Sequence, residues 1–235
     1  MTTPFPIVFP IFPDVTQLDF TGPHEVLSKL PGAQCVLGSP EGGPVQADGG
    51  LRFDTQRLAD IERCAVLCVP GGYGVTPMMQ HTGFLAELRR LAATAQFVTS
   101  VCSGSLLLAA AGLLHGKRAA CHWAWRDLLG EFDNVTPDPA RVVRDGNIFT
   151  GGGVTAGIDM ALTLMAEIAG DNHAQAVLLG MEYAAAPPFA GGRPELAPPA
   201  IVAMVQKRFD SISGDRQHAA RCAAQALRAS SSSSA

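Results

Sequence analysis

The sequence predicts an α/β protein with a mainly parallel central sheet and helices on both faces. Three observations carry that reading. Short apolar strand candidates alternate with helical patterns along the 235 residues, as a parallel sheet with crossover helices requires. The stretch "CAVLCVP" (64–70) is apolar almost without a break, which is the pattern of a strand buried on both faces. Finally, "FVTSVCSGSLLLAAAGLL" (97–114) runs from a β-rich segment through Cys-Ser-Gly straight into an apolar helical stretch. That is the strand–turn–helix order of a nucleophile elbow.

Taken in order, "FPIVFPIF" (5–12) reads as the first strand, its prolines placing at least Pro6 or Pro10 at a sheet edge or an irregularity. Thr21 is a plausible N-cap for a helix over "PHEVLSKL". "QCVLGS" is the next strand, and "GPVQADGGLRFD" carries the Asp-Gly signal of a hairpin. "CAVLCVP" ends in "GGYG", and "TGFLAELRRLAATA" then has helical periodicity. "QFVTSV" runs into Cys102, and a helix is expected from about Gly104 to Leu114. "KRAACHW" is a short strand and "RVVRDGNIFTGG" a second Asp-Gly hairpin. The last third, "TAGIDMALTLMAEIAG", "NHAQAVLLGMEYA" and "APPAIVAMVQKRFDSISGDRQHAARCAAQALRA", is helical, with an interruption expected near Gly214. No repeat or linker divides the chain, so one domain is expected over 1–229, with a disordered serine-rich tail at 230–235. The irregular segment from Ala186 to Pro199 is either a lid or an arm lying on the surface.

Composition narrows the function. Seventeen Lys and Arg against 21 Asp and Glu give a net charge of -4. The basic residues are scattered, so no nucleic-acid partner is expected. The longest apolar run, Leu106 to Leu114, falls far short of the roughly 20 residues a spanning helix needs, so no membrane partner is expected. "MTTPFPIVFPIFPDV" lacks a basic start and is broken by prolines, unlike a signal peptide, and points to a cytoplasmic location. The six cysteines show no paired metal spacing. Cys64 and Cys68 read as small buried hydrophobes, and no disulfide framework is expected.

In a parallel sheet, ligands bind beyond the carboxyl ends of the strands, and three such ends carry unusual residues. Cys102, in "SVCSGS", is either a buried packing residue or a nucleophile at a helix N-terminus, where the macrodipole and free N–H groups favour thiolate. Gly71 and Gly72, in "VPGGYG", form either a plain tight turn or a nest whose N–H groups stabilise an anion. Asp19, in "QLDFTGP", is either a helix cap or a half-buried acid whose neutral form suits proton transfer. His122 either lines the same site or is a satisfied core histidine. Tyr73, Trp123 and Thr155 are further candidates for the pocket wall.

The segments "QLDFTGPHEVL", "VPGGYG", "TSVCSGSLLLAAAGLLHGKRAACHW" and "RDGNIFTGGGVTAGIDMAL" resemble, in that order, the ThiJ/PfpI superfamily from about Phe5 to Ala184. Asp19 stands where the superfamily more commonly has glutamate. Together with Ser103 after the cysteine and "MEYAAAPPFAGG", it resembles the isocyanide (isonitrile) hydratases of that superfamily.

The resemblance implies a flavodoxin-like sandwich, a homodimer, a small-molecule isocyanide as substrate, and no metal or organic cofactor. It implies Cys102 as the nucleophile, forming a covalent thioimidate. Asp19 would act as general acid toward the isocyanide nitrogen and then help deprotonate water. Backbone N–H groups of Gly72 and Ser103, with Gly71 beside them, would stabilise charge, and the Ser103 hydroxyl would tune Cys102 or orient Asp19. Ser103 departs from the histidine found beside the nucleophile in protease-like branches. Regulators of the superfamily share the elbow but add a helix-turn-helix domain, for which no room is expected before Ala235. The alternatives are a glyoxalase- or amidase-type thiol enzyme, or a redox sensor in which Cys102 oxidises.

Overall fold

A computed structural model describes residues 3–232. The first strand, β1 (Phe5–Pro10), leads through α1 (Leu18–Leu27) to β2 (Ala33–Ser39) and the hairpin of β3 (Gly43–Gln46) and β4 (Arg52–Arg57). Next come β5 (Val66–Val69), the short α2 (Val75–Met78), α3 (Thr82–Ala92), β6 (Phe97–Val101) and α4 (Gly104–Ala110). A second small sheet pairs β7 (Arg118–Ala120) with β8 (Thr136–Asp138). The chain returns through β9 (Val142–Asp145) and β10 (Ile148–Gly151) and finishes in α5 (Ala156–Ala169), α6 (Asp171–Gly180) and α7 (Pro199–Ser232).

Eight strands form the main sheet in the order β3-β4-β2-β1-β5-β6-β10-β9. Every pairing from β4 to β10 is parallel, and the antiparallel pairs are the two Asp-Gly hairpins at the edges. The sheet thus has the mainly parallel α/β architecture that the alternating pattern predicts. Its centre is dry: Ile7 to Phe9 and Val66 to Val69 are fully buried, as parallel strands covered on both faces must be. No helix among the described residues is long and apolar enough to cross a membrane.

Four sequence expectations need correction. First, β1 is a central strand flanked by β2 and β5, which excludes the edge position its prolines allowed and leaves the irregularity. Pro6 accepts a bond from the Ala65 N–H, so Pro6, and by alternation Pro10, face β5. The β1–β5 register covers only Ile7 and Val8, so the missing N–H groups fall at the ends of that short ladder. Second, α1 begins at Leu18, and Thr21 lies inside it with its hydroxyl on the Gln17 side chain. The earlier start puts Asp19 in the first turn. Third, α4 stops at Ala110, short of Leu114, and the chain turns at the left-handed Gly112. Fourth, α7 runs unbroken through Gly214. A glycine in a helix costs only about 1 kcal/mol, and the half beyond it is anchored by buried Arg216, Ala219, Ala220, Ala223 and Ala224. The helix includes the first serines of the tail; residues 233–235 lie outside the described part of the chain.

Helix α4 is buried at all seven positions, packed against β5, β6 and α7. Its first residue, Gly104, lies so close to the end of β5 that a Cβ there would sit 2.3 Å from the Val69 oxygen and 2.8 Å from that of Pro70. Because both obstacles are backbone, neither can yield cheaply. Gly104→Ala is expected to cost at least about 1–3 kcal/mol in urea-induced unfolding. A variant as stable as the parent would show that the junction is looser than described.

Candidate active site

The site is built where β6 enters α4. Cys102 adopts φ 59°, in the left-handed region, where a non-glycine residue typically carries about 1–3 kcal/mol of strain. Neighbours on both sides hold it there: its N–H donates to the Gly151 carbonyl (2.9 Å) and its own carbonyl accepts from the His122 N–H (3.3 Å). The side chain is almost wholly buried.

Opposite it stands Asp19, delivered by the first turn of α1 and fully buried. Its Oδ2 accepts a hydrogen bond from the Gly71 N–H at 2.9 Å, while Oδ1 is buried with no hydrogen-bond partner among the described residues. Burial pushes this carboxyl up from 3.8 to about 7, and the Gly71 N–H and the Cys102 thiol pull back only part of the way. The thiol itself is raised well above 9.0, first by burial and next by the charge of Asp19. A hydrogen bond from the Ser103 N–H works in the opposite direction.

The helix N-terminus that the sequence offered as a thiolate stabiliser is therefore outweighed. At a short helix it contributes about 0.3–1 kcal/mol, against a desolvation effect of several pKa units for a buried group. Near neutral pH the stable resting state is a thiol beside a carboxyl group that is readily protonated or deprotonated.

Both glycine N–H groups are engaged. Gly71 binds Asp19, and the Gly72 N–H donates to the Ser103 hydroxyl oxygen at 3.2 Å. The role that falls to this loop in the resting site is holding Asp19 and Ser103 in place. Gly71 is also the point of closest approach, because a Cβ there would lie 2.6 Å from both the N and the Oγ of Ser103.

His122 accepts from the Ala124 N–H through Nδ1 at 3.3 Å, which leaves the proton on Nε2. Burial and the nearby Arg216 lower its pKa to about 4, so it is a neutral ring and a poor base for Cys102.

A cavity of about 210 Å³ opens on the sulfur. Its wall includes Gly72, Tyr73, Cys102, Ser103 and His122, together with Trp125, Phe209 and Arg216. Asp19 is not among the residues of that wall. Trp123 and Thr155 instead line an adjoining cavity of about 200 Å³, which shares His122 and also takes in Gly192 to Glu195. Part of the irregular arm therefore walls that second cavity, and none of it covers Cys102. No group of three or more His, Cys, Asp or Glu among the described residues could hold a metal ion.

A family model for the DJ-1/PfpI family matches residues 6–167. The chain belongs to that family. Within it, 52% identity over 203 residues relates the chain to an isonitrile hydratase of Pseudomonas putida, covering 86% of this chain and 89% of that protein. An HTH-type transcriptional regulator, GlxA of Rhizobium meliloti, is 33% identical over 80% of this chain, which spans 60% of the regulator's length. The crystal structure of a ThiJ/PfpI family protein from Pseudomonas syringae superposes with a TM-score of 0.89 at 35% identity, covering 93% of this chain and 91% of that one.

The DJ-1/PfpI match stops short of α7, which carries Phe209 and Arg216. Arg216 and Phe209 carry no local motif, and Trp125 sits three residues beyond His122. One usable signal existed: an arginine followed by small residues at 219, 220, 223 and 224 marks a helix face that packs closely around one long side chain.

The raised carboxyl of Asp19 has a consequence for stability. Its folded-state pKa lies above its ordinary value, so the folded protein binds more protons, and stability is lost as pH rises from 3.8 toward 7. Asp19→Asn removes that loss. The variant should gain stability on the wild type progressively from about pH 4 to 7, by up to roughly 4 kcal/mol, and then level off. Chemical unfolding of both proteins across that range measures the difference, and a flat difference would mean that the carboxyl is not raised.

Proposed function

We propose that the protein hydrates isocyanides to N-substituted formamides, with Cys102 as nucleophile and Asp19 as the group that moves the protons. The 52% identity to an isonitrile hydratase over most of both chains carries this reading. The buried thiol–carboxyl pair supports it chemically.

In the first step the Asp19 carboxylate takes the thiol proton as sulfur bonds to the terminal carbon of R–N≡C. The proton is then returned. Atom balance puts it on that same carbon, giving R–N=CH–S–Cys102; nitrogen gains its proton only in the next step. Water then attacks the thioimidate carbon, Asp19 accepts one of its protons, and a proton is delivered to nitrogen to form R–NH–CH(OH)–S–Cys102. Collapse breaks the C–S bond, the hydroxyl proton returns to sulfur by way of Asp19, and R–NH–CHO leaves. One carboxyl near neutrality serves as both base and acid, which is the poise that proton transfer at pH 7 favours. Trp125, Phe209 and Val154 offer an apolar wall for R. The neutral, backbone-held His122 argues against a Cys-His hydrolase reading.

The proposal includes a homodimer in the cytoplasm. Exposed apolar side chains at Leu178, Leu179, Phe189, Leu196, Ile201 and Met204, on α6, the arm and the start of α7, support self-association. Cysteines unpaired throughout the described residues fit a reducing compartment. Sedimentation velocity should give a species of twice the 24.5 kDa chain mass; a monomer at micromolar concentration would contradict that part.

The activity is tested by incubating the purified protein with an aryl isocyanide and following the formamide. Turnover is expected, and Cys102→Ala should lower it by more than about 1000-fold. Absence of turnover, or full activity without the thiol, would overturn the assignment.

A further inference from the structure

Among the described residues, Arg216 heads the large side chains that are fully buried, and none of the described salt bridges involves it. Its partners are all neutral. Nε donates to Thr76 Oγ1 at 3.0 Å, and one terminal nitrogen, Nη2, donates to the Gly72 carbonyl at 2.8 Å and that of Tyr73 at 3.2 Å. The guanidinium lies over the Trp125 ring, 4.4 Å from its centroid. A cation buried without an anion is costly, and carbonyl dipoles with one aromatic face offset that only in part. The same side chain lines the cavity that exposes Cys102, so the missing anion has a natural place.

We propose that Arg216 is a positioning residue and the fixed counter-cation of the Cys102–Asp19 pair, which makes α7 a working part of the active site. This rests on the hydratase reading only for its consequence in turnover. Two effects follow from the geometry. By gripping the carbonyls of Gly72 and Tyr73, Arg216 sets the tilt of the loop whose N–H groups hold Asp19 and Ser103. Its charge also favours the form of the pair that has lost one proton and carries the negative charge on sulfur. Attraction between the guanidinium and a charge on Cys102 acts in that direction. Tyr73 also faces Arg216, as do Cys121, whose thiol burial pushes up to about 12, and His122, whose pKa is lowered. Asp48 and Arg208 also line this cavity, but both are exposed and Asp48 already accepts a hydrogen bond from the Thr16 hydroxyl, so Arg216 is the buried cation of the site.

The test reads Cys102 directly and needs no isocyanide. Alkylation by iodoacetamide, followed by peptide mass spectrometry against pH, should show an inflection near pH 7 in the wild type, where Asp19 begins to accept the thiol proton. In Arg216→Met the inflection should move up by about one pH unit, so that alkylation at pH 7 slows by up to about tenfold. Arg216→Lys, which keeps the charge and loses the planar fork, should return the inflection most of the way. With an isocyanide, Arg216→Met should lower kcat more than it raises KM. Should Arg216→Met fail to fold, Arg216→Gln keeps a donor for Gly72 without the charge, and the same upward shift is expected. A folded neutral variant with an unmoved inflection would overturn the proposal, as would an Arg216→Lys inflection as high as that of the neutral variant. Because alkylation is independent of substrate, an unmoved inflection is distinguishable from a wrong substrate class.

Discussion

The site depends on a strand entering a helix almost without a loop. β6 ends at Val101 and α4 begins at Gly104, so the direction change falls on Cys102 and Ser103, and Cys102 takes a left-handed backbone to make it. That conformation would relax if left alone. It persists because Gly151 and His122 hold the backbone on either side and α4 is wedged under the end of β5. The wedge explains why glycine follows the elbow. The two holds explain why β10 and the segment after β7 belong to the site although neither supplies a reacting atom. Strain at one residue is thus kept by packing that spans three strands and a helix.

Burial decides the chemistry of what the elbow presents. A thiol at a helix start is often taken as ready-made thiolate, but here the surroundings are too dry for that. Desolvation raises both Cys102 and Asp19, and each raises or lowers the other by proximity. The outcome is a pair that exchanges one proton near neutrality. Such a pair suits the proposed isocyanide addition, in which carbon would receive sulfur and a proton in turn. On the proposed role of Arg216, the same pair gives that buried cation, whose hydrogen-bond partners are all neutral, a negative charge on sulfur to face.

Much of this was legible in the sequence, for identifiable reasons. The apolar continuity of 64–70 and the two Asp-Gly turns located the sheet centre and its edges, because burial on two faces and hairpin geometry each leave local marks. Cys102, Asp19 and the glycine pair stood out because each lies in the segment that follows a strand, on the side where a parallel sheet gathers its ligands. What local reading missed was long-range. The prolines of β1 point to a sheet edge or an irregularity, and nothing in "FPIVFPIF" reveals which, because the two-residue length of the ladder to β5 is not a local property. The Gly214 break was inferred from propensity, whereas burial of the residues after it holds the helix. Arg216, about 110 residues beyond the elbow in sequence, left no motif, since its role comes from packing rather than spacing.

In the proposed reaction Cys102 bonds covalently to the substrate while Asp19 carries the proton away and back. Its most direct measurement is acid quench during turnover of an aryl isocyanide, followed by peptide mass spectrometry, with Asp19→Asn run alongside the wild type to slow release. The Cys102 peptide is expected to be heavier by the mass of the whole isocyanide, since no atom leaves in the first step. Formamide production with Cys102 unmodified at every quench time, or an adduct on a different side chain, would contradict it.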